Sequence, residues 1–156
     1  HPERVTALVT IGGQPTTLSY EPWELVGLQM SLPLLAAMPY DLFKTISAQN
    51  TAYAPEVQAY AREAMDQVAY GEFLVIWAAV GRALNDDPDH QITHPLLITH
   101  GEHDNTGRIR AQTPAWAARD TGGAFTIIPD AGHNANQDNP AFFNRALLGF
   151  LDGVIE

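Results

Sequence analysis

The chain has 156 residues, of which 46% are hydrophobic, and this is enough apolar material for one packed core. Its 18 acidic and 8 basic residues give a formal net charge of -10, which repels phosphate backbones and anionic lipid headgroups. We therefore expect neither a nucleic acid nor a membrane surface as a partner. The absence of cysteine excludes disulfides, thiolate metal sites and a cysteine nucleophile within these residues.

The first predicted element is a core strand within residues 1–15. The β-branched apolar run from Val5 to Ile11 ends at Gly12, and such a continuous run is typical of a strand that is buried on both faces. His1 leads into it with no methionine and no signal-like segment, as in a chain cut from something longer. The sequence contains no run of about 18 uncharged apolar residues, so we expect no membrane span. A cytoplasmic location is the default expectation.

Residues 16–92 contain several helical patterns and no convincing strand. One pattern begins at Pro55 and predicts a buried stripe from Val57 to Val68 that includes Tyr60, and another predicts a buried stripe from Phe73 to Leu84 that includes Val80. A crossover between parallel strands needs only one helix, so this long insertion predicts a helical subdomain over one end of a sheet. Such a cover would close a pocket where open α/β sheets bind ligands.

Strands and helices alternate after the insertion. The apolar runs from Leu96 to Thr99 and from Phe125 to Ile128 predict two strands. Thr113-Pro114 predicts the start of a short helix that stops at Gly122-Gly123, and Asn139-Pro140 predicts the cap and first turn of a longer helix. This order predicts an α/β fold with a parallel sheet and right-handed crossovers.

Two polar side chains follow the second and third strands where a site is expected. Asp104 lies in HGEHDN and His133 in PDAGHN. If the strands are neighbours about 5 Å apart, the carboxylate reaches the imidazole and fixes its tautomer, which leaves the other ring nitrogen free to take a proton from a nucleophile. The alternatives are an ordinary turn aspartate beside Asn105 and a turn histidine that binds backbone groups.

The motifs LLITHGEHD (96–104), AGH (131–133) and NPAFFN (139–144) together resemble the C-terminal part of an α/β-hydrolase. The resemblance implies a core strand in residues 1–15, the family's helical cap in residues 16–92 and the end of the hydrolase core, with its last strands, in residues 93–156. It also implies that Asp104 is the acid and His133 the base of a catalytic triad. The activity implied is cleavage of ester, acyl or carbon-carbon bonds in a small organic substrate, without a cofactor.

The nucleophile of the family is missing from the sequence. The family places it in G-x-S-x-G between a strand and a helix, and this chain contains no such motif. Its serines are Ser19, Ser31 and Ser47, and Gln29 and Pro33 flank Ser31 where small residues would be needed. We therefore expect a nucleophile, most simply serine, and the oxyanion-hole donors to lie upstream of residue 1. An aspartate or cysteine nucleophile stays open, and residues 1–156 alone are expected to be inactive.

Three residues are candidates for contact with the substrate: Gln14, Trp23 and Trp77. Gln14 follows the first strand on the side of the expected pocket, although a turn into the cap explains it better than a contact with the substrate. The tryptophans could line an apolar pocket beneath the cap or belong to a core. His100, Glu102 and His103 offer imidazole and carboxylate ligands that suit zinc or iron, but no helical H-x-x-x-H spacing supports them, so we expect no metal site.

A function of a different class remains open, namely a non-catalytic module that binds a small ligand or a partner protein. The missing nucleophile favours it. For either function the unpaired edge of the first strand is an aggregation liability. We therefore expect this edge to pair with the missing N-terminal half of the fold or with a second chain.

Overall fold

The computed structural model describes residues 1–15, 17, 20–84, 87–120 and 124–155. A short 3-10 turn at Pro2–Arg4 precedes the regular elements, and no helix in these ranges is both long and apolar enough to cross a bilayer. The strands and helices are, in chain order, β1 Leu8–Ile11, α1 Pro22–Ala37, α2 Tyr40–Thr51, α3 Pro55–Met65, α4 Tyr70–Ala83, β2 Leu96–Gly101, α5 Ile109–Asp120, β3 Phe125–Ile128, α6 Ala135–Asp138 and α7 Pro140–Ile155.

The strands form one parallel sheet in the order β1-β2-β3. β2 lies in the middle, where Ile98 pairs with Thr10 on one side and with Phe125 on the other. Every residue of β2 is buried, as expected for an apolar strand that is covered on both faces. The parallel α/β sheet predicted from the sequence is therefore confirmed.

Helices cover both faces of the sheet. Because successive residues of a strand point to opposite faces, β2 directs Leu96 and Ile98 toward α5, while β1 directs Val9 toward α7. The cluster against α5 contains Leu96, Ile98, Trp116 and Ala117, with Ile92 and Phe125 packed around it. The cluster against α7 contains Ile128, Ala131, Ala135 and Phe143, with Val9, Phe142 and Leu147 packed around it.

The first strand is shorter than its apolar run. The run from Val5 to Ile11 predicts seven residues of strand, whereas β1 begins only at Leu8. Leu8 pairs with Leu96, and the residue before Leu96 is Pro95, which has no N–H to donate. The partner strand thus ends the ladder at this point.

The predicted start of the fifth helix is wrong. The pair Thr113-Pro114 lies inside α5, which begins at Ile109. A proline this close to the start of a helix removes only the hydrogen bond to the carbonyl of Arg110, so the helix continues through it. The predicted stop at Gly122-Gly123 lies outside the described residues.

The last helix begins where the sequence predicts. The Asn139 side-chain oxygen accepts the N–H of Phe142 at 3.2 Å, which caps the first turn. Phe143 and Leu147 then pack beneath the sheet. The short helix α6, which the sequence did not predict, precedes this cap directly.

The four helices between β1 and β2, called the cap below, pack as two pairs, α1 on α4 and α2 on α3. Rings of Tyr40, Tyr70 and Phe73 join the pairs, with Tyr40 and Tyr70 stacked at 4.5 Å. The predicted buried stripes are only partly correct, since Tyr60 and Val80 are exposed. Trp23, Leu34 and Val75 are exposed, so part of the apolar surface of the cap faces solvent.

The open edge of β1 generates a testable prediction about assembly. Within the described residues β1 pairs only with β2, and Val5, Leu8 and Ile11 are exposed. We expect isolated residues 1–156 to self-associate, and Leu8→Lys to shift them toward monomer, because a charged side chain opposes edge pairing. Light scattering after size exclusion measures this. A wild-type monomer that unfolds cooperatively would contradict the prediction.

Candidate active site

The structure brings Asp104 and His133 together at the carboxyl end of the sheet. Nδ1 of His133 lies 3.0 Å from Oδ2 of Asp104. A carboxylate can only accept, so Nδ1 carries the proton and Nε2 is the nitrogen that can accept another. Asp104 is 2% exposed, whereas the His133 side chain is 31% exposed. The pair therefore has a buried acid and an imidazole that a reacting group can reach.

Two adjacent loops create this geometry. The loop after β2 and the loop after β3 are joined by backbone hydrogen bonds, from the N–H of Glu102 to the carbonyl of Ile128 at 2.9 Å and from the N–H of His103 to the carbonyl of Ala131 at 2.8 Å. Gly101 permits this contact, since a Cβ there would lie 2.3 Å from the carbonyl oxygen of Ala131. The strand ends and one glycine thus place the acid beside the base.

Opposing effects set the protonation of Asp104. Burial acts to raise the pKa of its carboxyl, but hydrogen bonds from His133 and Thr106 and the charge of His133 outweigh burial, so the pKa lies below the ordinary value of 3.8. The backbone N–H of Thr106 donates to Oδ1 at 2.8 Å. Asp104 is therefore ionised at neutral pH.

Gly12, the residue after β1, forms the third wall of the site. Its φ is +58°, in the left-handed region that favours glycine. A Cβ there would lie 2.7 Å from Nδ1 of His133 and 3.2 Å from Oδ2 of Asp104. The backbone of Gly12 therefore packs directly against the hydrogen-bonded pair. The sequence indicated a turn at Gly12 but not this contact.

The two candidate tryptophans line one cavity between the cap and the loop after Asp104. This cavity of about 520 Å³ is bounded by Trp23 and Trp77 on the cap side and by Asn105 and Arg108 on the loop side. Trp23 is 67% exposed, so its ring lies at the opening. An ion pair between Arg108 and Glu24, at 3.0 Å, joins the loop to α1.

Gln14 lies beside the same loop, but it is not among the residues that line the cavity. Its Oε1 is 3.4 Å from the position that a Cβ on Gly107 would occupy. Its Nε2 is buried and makes no hydrogen bond within the described part of the chain. A contact between Gln14 and the substrate stays a prediction.

The potential metal ligands are arranged differently from the sequence pattern. His100 is buried and its Nδ1 lies 2.8 Å from the carbonyl oxygen of Gly101, in the β2 layer that faces α5. Glu102 and His103 instead come together with Asp130, all three ligand atoms lying within 4.8 Å of one another. Both carboxylates of this group are exposed, and exposed acidic groups commonly cluster without a metal.

Sequence reasoning missed Asp138, to which the sequence analysis assigned no role. The structure shows its carboxylate binding backbone N–H groups of the cap and of Gly132. The only local signal is its position five residues after His133, and its cap partners are more than 80 positions away in the sequence.

Comparisons with known proteins give structural likenesses only. No protein-family model matches the sequence, and no curated protein matches it significantly. A thermophilic esterase from Thermogutta terrifontis, solved with malate bound, superposes with a TM-score of 0.77 at 19% identity, over 97% of this chain and 57% of that chain.

Two further solved structures resemble the chain in the same way. A putative non-heme bromoperoxidase from Mycobacterium tuberculosis H37Rv gives a TM-score of 0.62 at 18% identity, over 98% of this chain and 60% of that one. An alpha/beta hydrolase fold protein from Burkholderia ambifaria gives 0.57 at 17% identity, over 92% of this chain and 55% of that one. This chain thus spans less than two thirds of the length of each.

The contact of Gly12 with His133 predicts that Gly12→Ala displaces the imidazole. The new methyl group would overlap Nδ1, and the left-handed backbone would cost about 1–2 kcal/mol in addition. We expect the downfield proton NMR resonance of the His133 Nδ1–H to shift or disappear. Gly13→Ala is the matched control, because the three atoms nearest to its Cβ would all belong to Thr10 and not to His133 or Asp104. An unchanged resonance in Gly12→Ala would contradict the prediction.

The lowered pKa of Asp104 predicts an acid-dependent loss of stability. A carboxyl with a lowered pKa in the folded state adds stability above its unfolded pKa, near 3.8, and loses it as the pH falls through the folded value. We expect the free energy of unfolding of the wild type to exceed that of Asp104→Asn at pH 6, and the difference to shrink below pH 4. A difference independent of pH across that window would contradict this assignment.

Proposed function

We propose that this chain, whose fold is that of the C-terminal part of an α/β-hydrolase, supplies the acid and the general base of a hydrolase triad. The observation that carries the proposal is the 3.0 Å contact between Oδ2 of Asp104 and Nδ1 of His133. It lies at the carboxyl ends of adjacent parallel strands, where open α/β sheets place their sites. The esterase from Thermogutta terrifontis, with which the chain shares its fold, supports a hydrolytic reaction.

In the proposed reaction His133 transfers one proton in each of two half-reactions. Its Nε2 takes the proton of a nucleophile as that group attacks the substrate carbonyl, and then gives it to the leaving alcohol, which leaves an acyl-enzyme. Water attacks the acyl group next: Nε2 accepts a proton from the water and gives it to the nucleophile as the acid product leaves. Throughout, ionised Asp104 holds the tautomer and stabilises the imidazolium.

The nucleophile of this proposal lies on a segment that precedes residue 1. Of the described serines, Ser31 lies within α1, where its hydroxyl donates to the carbonyl of Leu28 and accepts from Nε1 of Trp77. Ser47 lies within α2, and Ser19 is outside the described residues. Neither helical serine has the strand-to-helix turn that exposes a nucleophile. Serine is the simplest identity, and aspartate or cysteine would fit the same acid and base.

The lining of the cavity includes Asn105, which follows Asp104, but not His133, so the reacting bond would lie outside the cavity while it holds the rest of the substrate. Such a cavity supports a small organic ester or other acyl compound, and a carbon-carbon bond flanked by carbonyls would suit the same chemistry. Its volume of about 520 Å³ is in the range of small-molecule sites. Trp23 and Trp77 offer apolar contact, while Arg108 and Asn105 offer donors for carbonyl oxygens. Nucleophile and water suffice for this reaction, so we expect no cofactor.

A second candidate function is a non-catalytic module in which the cavity between cap and core holds a small ligand. The tryptophan-lined cavity favours it, because such a pocket binds without a nucleophile. The parental reading frame separates the two. An upstream strand-to-helix turn with serine, aspartate or cysteine supports the enzyme, and a frame without one supports the binding module.

The triad proposal predicts the kinetics of two variants of the full-length protein. With an aryl ester as substrate, we expect His133→Ala and Asp104→Asn each to lower kcat by a factor of about 10³ to 10⁴, since the base is removed or loses its tautomer. The change in absorbance of the released phenol measures this rate.

Asp89→Asn is the control for the triad variants, because Asp89 is exposed and its substitution removes the same charge as Asp104→Asn. Circular dichroism verifies that each variant is folded. Full activity in both His133→Ala and Asp104→Asn would refute the triad assignment, while loss in those variants alone would support it.

A further inference from the structure

The carboxylate of Asp138 binds three backbone N–H groups from two distant parts of the chain. Oδ1 accepts from Ala54 at 2.9 Å and from Tyr53 at 3.1 Å, and Oδ2 accepts from Tyr53 at 3.0 Å and from Gly132 at 2.8 Å. Tyr53 and Ala54 connect α2 to α3 in the cap, while Gly132 immediately precedes His133. One side chain therefore links the cap to the loop of the base.

The residue on the other side of His133 is bound to the same connection. The N–H of Asn134 donates to the carbonyl of Thr51, the last residue of α2, at 2.9 Å. The ring of Tyr53 also stacks on His103 at 4.3 Å, beside the loop that carries Asp104. Both neighbours of His133 are thus held by residues 51–54, one directly and one through Asp138.

We propose that Asp138 is a positioning residue that sets the His133 imidazole by fixing its loop against the α2–α3 connection of the cap. The inference rests on the proposed role of His133 as the base. Asp138 does not touch the reacting atoms, and it acts through the Gly132 N–H. Through the same carboxylate, the placement of the cap determines the placement of the base.

The chemistry of the three donors explains why a carboxylate is needed. An ionised carboxylate accepts at both oxygens, whereas an asparagine would place its own NH₂ against at least one of these N–H groups. Asp138→Asn keeps the size of the side chain, so it breaks hydrogen bonds on one side without leaving a cavity. Misplacement of a catalytic group by about 1 Å costs on the order of 10²-fold in rate.

The first test compares Asp138→Asn with Asp130→Asn in the full-length protein. Asp130 lies on the loop after β3 that also carries His133. Its side chain is exposed, and Asp130→Asn removes the same charge as Asp138→Asn. We expect Asp138→Asn to shift or broaden the His133 Nδ1–H resonance, to speed hydrogen exchange at Gly132, and to lower kcat at least about tenfold. Asp130→Asn should leave all three unchanged.

The second test removes one donor from the cap side. Ala54 has φ -74°, which proline tolerates, so Ala54→Pro deletes its N–H to Asp138 while the carboxylate stays. Ala69→Pro is the matched control, since Ala69 has φ -66° and its N–H donates to the side chain of Glu72, three residues away in the same helix start. We expect Ala54→Pro, but not Ala69→Pro, to shift the His133 resonance.

The effects of Ala54→Pro and Asp138→Asn on the His133 resonance should not be additive. If both act through one carboxylate, Ala54→Pro will change the His133 resonance less in the Asp138→Asn background than in the wild type. A lowered melting temperature with an unchanged resonance and kcat would overturn the proposal, as would fully additive shifts. The resonance and the exchange rates need no turnover, so a wild type without activity would refute the proposed function and leave this test intact.

Discussion

The register between β2 and β3 is the constraint on which the candidate site depends. Gly101 pairs with Ile128, so both strands leave the sheet at one level and their loops run side by side. A slip by one strand repeat of two residues would move one loop by about 6.6 Å relative to the other. The bond between His133 and Asp104 could not survive that shift. Burial of β2 on both faces thus fixes the distance between Asp104 and His133 as well as a core.

The parts of this arrangement that follow from local sequence could be predicted. The apolar runs around Ile98 and Ile128 require a sheet that is buried on both faces, and polar residues directly after such strands lie at its carboxyl edge. Asp104 and His133 were found in this way. The capping of α7 by Asn139 is equally local, because the donor lies three residues from the acceptor.

The parts that depend on distant contacts could not be predicted. The carboxylate of Asp138 finds donors more than 80 positions away, and nothing in its neighbourhood distinguishes it from a solvated aspartate. Gly12 reads as a turn until His133 is placed against it. The predicted buried stripes of the cap helices are partly wrong for a related reason. Helical spacing predicts an apolar face, but the element that packs on that face decides whether Tyr60 or Val80 is buried.

The position of the cap in the chain has a consequence for how the molecule folds. The hydroxyl of Thr99 in β2 donates to the carbonyl of Thr10 in β1, a contact between residues 89 positions apart. Closing so long a loop carries an entropic cost, whereas helices such as α2 and α3 form from local contacts. During synthesis β1 cannot pair with β2 until the cap and β2 have left the ribosome. The pairing of β1 with β2 therefore forms late, and the edge of β1 that faces β2 stays exposed to other nascent chains until then.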